Sequence, residues 1–406
     1  ITFTLKIDNR TDLEIGEVCY PIIGGTKGLG SNELQRKATL RIVPVGSGMD
    51  VQPIYRVFNN MTWLGEPLPE QLYVYPHTLS TPWMYLYLYN PKNKRGVYFA
   101  AHDPIRRVKA VQLQQYPGLA SYRVDGNWPR PEELEGMPSG VSVNFVHLVY
   151  HPPKQEFVTS PVVLRFQSGD AEEAKRTYLS WFESVFGKAA NPHTVKKLKR
   201  VGRIPFAEIA NLVESCKAEG VDAICLDDWK IGGQHNGVPT FTPAPELGGA
   251  EGLREAGKAC HAAGARLYLR FNVQFCNPDS ELFKSFLAPY CSRDRWGVPF
   301  TRPGDRWVFL NLAVPEVRDF LVGQVGVLAQ AEVDGLYVVD FFNDKLDFNH
   351  FSGMTPDRSD WDGGLQTLEN LLHVARQVNP DFSLLTEMFR DHLTLLAEVP
   401  ESQGIP

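Results

Sequence analysis

The chain has 406 residues, 43% of them hydrophobic and 22% charged, which excludes disorder, collagen and coiled coil and provides for roughly two to three domains. Its 41 Lys and Arg stand against 47 Asp and Glu with no basic run, so no nucleic-acid partner is expected. No apolar stretch approaches the ~18 residues of a membrane span. The six cysteines show no CxxC spacing and read as free thiols, which favours the cytoplasm. The chain opens at Ile1 without a leader pattern, so localisation stays open, and secretion is possible if a leader has been removed.

From Ile1 to about Phe166 the apolar period is two. Segments 1–7, 39–43, 83–89, 96–101, 141–146 and 162–166 read as strands, punctuated by turn residues at 8–10, 46–48 and 90–94. This predicts an antiparallel β-sandwich over residues 1–170. Asp170 is placed to cap a helix over 171–186, whose Tyr178, Leu179, Trp181, Phe182 and Val185 recur at helical spacing; residues 171–190 are expected to link the two halves. The rhythm then changes. Helices over 206–218, 250–263, 314–331 and 365–378 precede the strands 223–226, 266–271, 335–339 and 383–386, several of them ending at a Gly or an Asn-Pro. Strands alternating with helices predict a parallel sheet, and residues 191–406 are assigned to a (β/α)8-type (TIM) barrel. With a first strand within 195–205, five of eight strands are found. Three readings of the shortfall stay open: strands beyond Pro406, gaps in the numbering, or an open sheet.

Chemistry in such barrels sits at the C-terminal ends of the strands, and here those ends are acidic. Leu226 is followed by Asp227, Asp228 and Trp229; Leu269 by Arg270, Phe271 and Asn272; Val339 by Asp340, with Asn343 and Asp344 behind it; Thr386 by Glu387. Ionised groups at the ends of apolar strands are destabilising unless paired, so the array reads as a site. Each carboxylate taken singly could equally be a helix cap or an ion-pair partner. Two carboxylates suffice for glycosidic cleavage, one attacking the anomeric carbon and one protonating the leaving oxygen; Asp340 and Glu387 are that pair.

The stretch Asp334 to Asp340, followed 47 residues later by Glu387, resembles the nucleophile and acid/base strands of α-amylase-type glycosidases, with Val338 where that family has Arg. A second resemblance is to α-galactosidase-like enzymes: Leu226-Asp227-Asp228-Trp229 is similar to their Asp-Asp-Gly-Trp strand end, and Val338-Val339-Asp340 to their Lys-Trp-Asp. Both imply Asp340 as nucleophile; the second implies an acid/base on a later strand. Nearly the whole chain, including Gly96 to Pro104 and Pro245 to Gly249, resembles a bacterial family of glycosidase-like proteins, which implies the two-domain fold but no substrate.

The reading is a retaining glycoside hydrolase acting on an oligo- or polysaccharide, without cofactor or metal. Asp340 is the nucleophile and Glu387 the acid/base, while Asp227, Asp228, Trp229, Arg270, Asn272 and Asp344 bind the carbohydrate. Trp296, Trp307 and Trp361 are further candidate stacking surfaces, and loop packing explains each as well. Asp340, Asp344 and Asp347 with Asn343 lack the turn glycine and distal Glu of a calcium loop. The alternatives are a non-catalytic carbohydrate-binding protein, for which Val338 argues, and a barrel enzyme of another hydrolytic or lyase class.

Overall fold

The computed structural model describes residues 1–26, 29, 41–45, 50–53, 70–77, 81–116, 140–188, 195–302, 304, 306–341, 344–387 and 390–400. The turn expected at 46–48, residues 39 and 40 of an expected strand, and Asn343 lie outside them. The chain forms two compact units, Ile1–Gly187 and Lys188–Pro406.

In the first unit, β1 (Thr2–Phe3), β2 (Lys6–Asp8), β3 (Val18–Thr26), β4 (Arg41–Val45), β5 (Asp50–Pro53) and β6 (Glu70–Tyr75) precede the long hairpin of β7 (Tyr85–Asn90) and β8 (Arg95–Ala101). Next come β9 (Lys109–Tyr116), β10 (Gly140–His147), β11 (Glu156–Val158) and β12 (Val162–Ser168). They pair into a six-stranded sheet in the order β1-β12-β8-β7-β4-β5 and a four-stranded sheet β3-β10-β9-β6, with β11 and β2 as a separate pair. The pairings are antiparallel, as expected of a sandwich. Tyr85 to Tyr89 are buried on both faces, which is why this segment reads as apolar throughout and does not alternate. Helix α1 (Ala171–Phe186) starts where Asp170 accepts a hydrogen bond from the Glu172 N–H at 3.1 Å. Its buried stripe turns back onto the sandwich: Tyr178 lies 5.8 Å from Trp83 and 5.1 Å from Tyr85, and Trp181 stacks on His102 at 4.3 Å.

The second unit alternates strand and helix. It contains β13 (Leu198–Val201), α2 (Ile209–Lys217), β14 (Ala223–Leu226), α3 (Gly249–Ala262), β15 (Arg266–Asn272), the short pair β16 (Phe275–Cys276) and β17 (Val308–Phe309), and α4 (Pro315–Ala329). After them come β18 (Gly335–Val339), α5 (Pro356–Ser359), α6 (Trp361–Val378), β19 (Ser383–Thr386) and β20 (Ala397–Glu398). Among the described residues, six strands form one parallel sheet in the order β13-β14-β15-β18-β19-β20. This is the (β/α) barrel arrangement, with one strand more than the sequence discloses. That strand, β20, is a two-residue Ala-Glu segment too short to show a period. The sheet curls: the Val195 N–H, just before β13, donates to Glu398 Oε2 on β20 at 3.3 Å, joining the two edge strands. Inside the curl Val195, Ala223, Cys225, Tyr268, Tyr337, Val339 and Leu385 pack into one apolar cluster. The helices bury heptad-like stripes such as Val317, Leu321, Val325 and Leu328 of α4. At Gly257 of α3 the backbone of Glu332 approaches so closely that a Cβ would sit 2.3 Å from its carbonyl oxygen.

Candidate functional site

The inner face of the sheet is set by period two. Because Cys225, Tyr268, Tyr337 and Leu385 point inward, so do the residues two further along: Asp227 beyond β14, Arg270 and then Asn272 on β15, and Glu387 beyond β19. Arg200, paired in register with Cys225, joins them from β13. Parity alone would turn Asp340 away, with Leu336 and Val338. Its backbone prevents this: φ is +56°, a left-handed conformation that breaks the alternation at the last step. Asp and Asn adopt this region more readily than other non-glycine residues, because the short polar side chain can bond locally.

The result is a row of alternating charge across neighbouring strands. Arg200 grips Asp227 with its fork, Nη2 at 2.7 Å from Oδ2 and Nε at 3.2 Å from Oδ1. Arg270 follows, Nη1 at 4.0 Å from Asp227 Oδ2 and Nη2 at 4.0 Å from Asp340 Oδ2. Arg302 reaches Asp340 from the other side, Nη2 to Oδ1 at 3.7 Å. The Asp340 N–H donates to Glu387 Oε1 at 3.4 Å, so the two residues expected to act together are neighbours. Beneath them burial, reinforced by the charge of Glu387, pushes the Tyr337 hydroxyl above its usual range, and the Arg200 guanidinium lies 5.6 Å from that ring. Two guanidiniums, of Arg270 and Arg302, stand beside Asp340, while Val338, where the amylase-like pattern has Arg, is buried.

The structure gives the other expected site residues different surroundings. Asp228 Oδ1 accepts the Gln234 N–H at 2.5 Å and so holds the loop after β14. Gly233 in that loop has φ +74°, and a Cβ there would meet the Asp228 carboxylate at 2.5 Å. Lys230 ties down the same loop through Asn236 Oδ1 at 3.1 Å and the Val238 carbonyl; burial pulls its pKa down to about 8. Trp229 is 1% exposed, its indole N–H donating to the Arg270 carbonyl at 2.9 Å, which leaves no face for a sugar. Asn272 Oδ1 accepts from the Gln274 and Phe275 N–H groups, leaving its amide nitrogen for other contacts. Asp344 stands 4.0 Å from Lys345, which in turn pairs with buried Asp360 at 3.1 Å. Asp347 is buried and accepts the Arg293 and Asn349 N–H groups at 3.0 and 2.9 Å. Of the remaining tryptophans, Trp361 is fully buried, Trp296 is 84% exposed, and Trp307 faces the site.

A small recess of about 40 Å³ opens beside Asp340, lined by Gln234, Arg270, Asn272, Arg302, Trp307 and Asp340. Trp307 is seated by Gly237, where a Cβ would lie 2.5 Å from the indole, and the Arg302 guanidinium is 5.6 Å from its ring. Gln234 and Arg302 are absent from the sequence reading because they come from loops, where no period reports direction. The paired glycines at 232 and 233, directly after an acidic strand end, are the one local signal that this loop is built to a fixed shape.

No protein-family model matches the chain, and no curated protein matches it by sequence. Solved structures do match. The GalNAc complex of the alpha-N-acetylgalactosaminidase NagBb from Bifidobacterium bifidum superposes with a TM-score of 0.68 at 14% identity, over 98% of this chain and 63% of that one. The GH36 alpha-galactosidase AgaA from Geobacillus stearothermophilus gives 0.58 at 12% identity, over 98% and 51%. An alpha-galactosidase from Lactobacillus brevis gives 0.55 at 13%, over 98% and 49%. The chain thus spans about half to 63% of the length of these relatives, and shares with them the fold of glycoside hydrolases. Among the described residues, no helix is long and apolar enough to cross a membrane.

Proposed function

We propose that the chain belongs to a glycoside hydrolase that cleaves an α-linked galactose-type sugar with retention, using Asp340 as nucleophile and Glu387 as acid/base. The observation that carries the reading is the closeness of these two residues. Both stand at the C-terminal ends of neighbouring parallel strands, and the Asp340 amide donates to the Glu387 carboxylate. The left-handed turn at Asp340 supports it, because strained backbone at a strand end persists where the surrounding structure imposes it. The sugar class follows what the structural relatives are named for.

In this reading Asp340 attacks the anomeric carbon while Glu387 gives its proton to the leaving oxygen; Glu387 then takes a proton from the water that releases the sugar. Arg270 and Arg302 sit close enough to keep the Asp340 carboxylate directed at the recess, and far enough, at 3.7–4.0 Å, to leave its lone pairs unbonded. The test uses 4-nitrophenyl α-D-galactoside and its 2-acetamido analogue. Asp340→Asn should lower turnover by about a thousandfold or more with folding intact, and Glu387→Gln should slow glycosides with poor leaving groups far more than the aryl ones. Proton NMR of the first-formed anomer reads the stereochemistry. Inverted product, or full activity in Asp340→Asn, overturns the proposal.

A further inference from the structure

The recess beside Asp340 contains hydrogen-bonding groups that the protein itself leaves unused. Gln234 is only 7% exposed, its Oε1 is buried without a partner, and no protein group bonds its amide nitrogen among the described residues. Whichever way the amide is turned, it offers one donor and one acceptor. Arg270, on the neighbouring strand, is also without a side-chain hydrogen bond among the described residues: its Nε is buried and unpartnered, and its terminal nitrogens stand 4.0 Å from Asp227 and Asp340. Buried polar groups in folded proteins are nearly always satisfied, so two such side chains lining one recess mark a place for a ligand. The loop presenting Gln234 is held by the Asp228 hydrogen bond, the Lys230 contacts and the glycine at 233, so the amide is fixed before anything binds.

We propose that Gln234 and Arg270 form a recognition pair for one neutral substituent of the sugar that both donates and accepts a hydrogen bond, a hydroxyl or an acetamido group. The recess is too small for a sugar ring and suits a single substituent. The group accepts from the Arg270 guanidinium and donates to Gln234. A carboxylate or sulfate only accepts: it would leave the Gln234 oxygen unsatisfied and stand beside the Asp340 carboxylate. A deoxy position would leave both residues unmet, and sites built to hydrogen-bond a substrate group discriminate strongly against its absence. The inference rests on the carbohydrate reading above but not on turnover.

Binding to the full chain is measured by calorimetry with three probes: N-acetyl-D-galactosamine, D-galactose and D-galacturonate. The expected result is that at least one neutral sugar binds and galacturonate binds at least about tenfold more weakly. Gln234→Leu and Gln234→Glu, each checked for an unchanged melting temperature, should weaken the neutral sugar by about tenfold or more. A preference for the acetamido sugar that disappears in Gln234→Leu identifies the acetamido group as the one read; equal binding of the two neutral sugars identifies a hydroxyl. Galacturonate binding tighter than both, affinity unchanged in both variants, or no binding by any probe overturns the proposal. Binding that depends on Gln234 in a protein that hydrolyses nothing sinks the hydrolase reading and leaves this one standing.

Discussion

The two units each enclose a cluster of charged side chains, and they treat it in opposite ways. In the sandwich Asp103 is buried. Its Oδ2 accepts from Lys109 Nζ at 2.6 Å and the Ser160 hydroxyl at 2.5 Å, the Arg107 guanidinium lies beside it as an ion-pair partner, and its Oδ1 accepts the Ile105 N–H. Burial alone would raise the Asp103 pKa, but Lys109, Arg107 and the hydrogen bonds bring it down to about 2. Around the barrel recess the Arg270 side chain makes no hydrogen bond among the described residues, and its carboxylate neighbours stay 4.0 Å away. A closed cluster is a fastening; an open one is prepared for something else. Two groups of similar composition are thus told apart by whether their polar atoms have found each other, not by which residues they contain.

The comparison breaks first at Asp103. Asp103→Asn leaves buried Lys109 without its counter-charge and should destabilise the sandwich by about 3–5 kcal/mol, read as a fall in its melting transition. The depressed pKa implies that the stability Asp103 contributes is present above about pH 4 and is lost as pH falls toward 2, so acid should reduce the difference between variant and parent. The corresponding change at the recess, Arg270→Met, should shift stability by less than about 1 kcal/mol in either direction while lowering kcat/KM by about a hundredfold or more. A large stability loss there would place Arg270 among the fastenings.

Asp347 sharpens the contrast with a buried carboxyl of intermediate kind. Burial is the main cause raising its pKa, to about 6. A carboxyl raised in the folded state contributes stability below the ordinary carboxylate range and loses it as pH rises through 6, so the second unit should melt lower at pH 7 than at pH 4.5 from this group alone. Asp347→Asn keeps an acceptor for the Arg293 and Asn349 N–H groups and should flatten that slope. The smallest effect is expected at Arg200→Lys, which keeps the charge but loses the fork on partly exposed Asp227, a stability change of about 0.5 kcal/mol. Its use is in the kinetics: kcat moving with KM unchanged would show that the Arg200–Asp227 pair positions Arg270.

Much of this was readable from residues alone. The strands at 96–101 and 162–166, the Asp170 cap, and the βα rhythm through 223–226, 335–339 and 383–386 all appear in the structure at those places. They are local, and local propensity agrees with the fold there. What could not be read depends on chain segments far apart meeting. The apolar stripe of 171–186 disclosed that it needed a surface, but not that Trp83, Tyr85 and His102 supply it. Strand ends 227, 270, 340 and 387 were identifiable as acidic or basic, whereas the fork of Arg200 on Asp227 needed the register of β13 against β14. Trp229 followed an acidic pair and read as a sugar platform; only the fold shows its ring buried against Phe241 at 6.4 Å.

The left-handed backbone at Asp340 has a consequence for how this site is interrogated. Alanine scanning assumes that the shortened residue tolerates the original backbone. At φ +56° that assumption fails, since a left-handed conformation costs an alanine roughly 1–2 kcal/mol. Asparagine adopts the conformation about as readily as aspartate and keeps the side chain's shape. Asp340→Ala would therefore report a mixture of lost carboxylate and relaxed turn, and the relaxed turn would also move the amide that donates to Glu387. A knockout by alanine would silence both members of the pair at once, and only the asparagine variant asks about one.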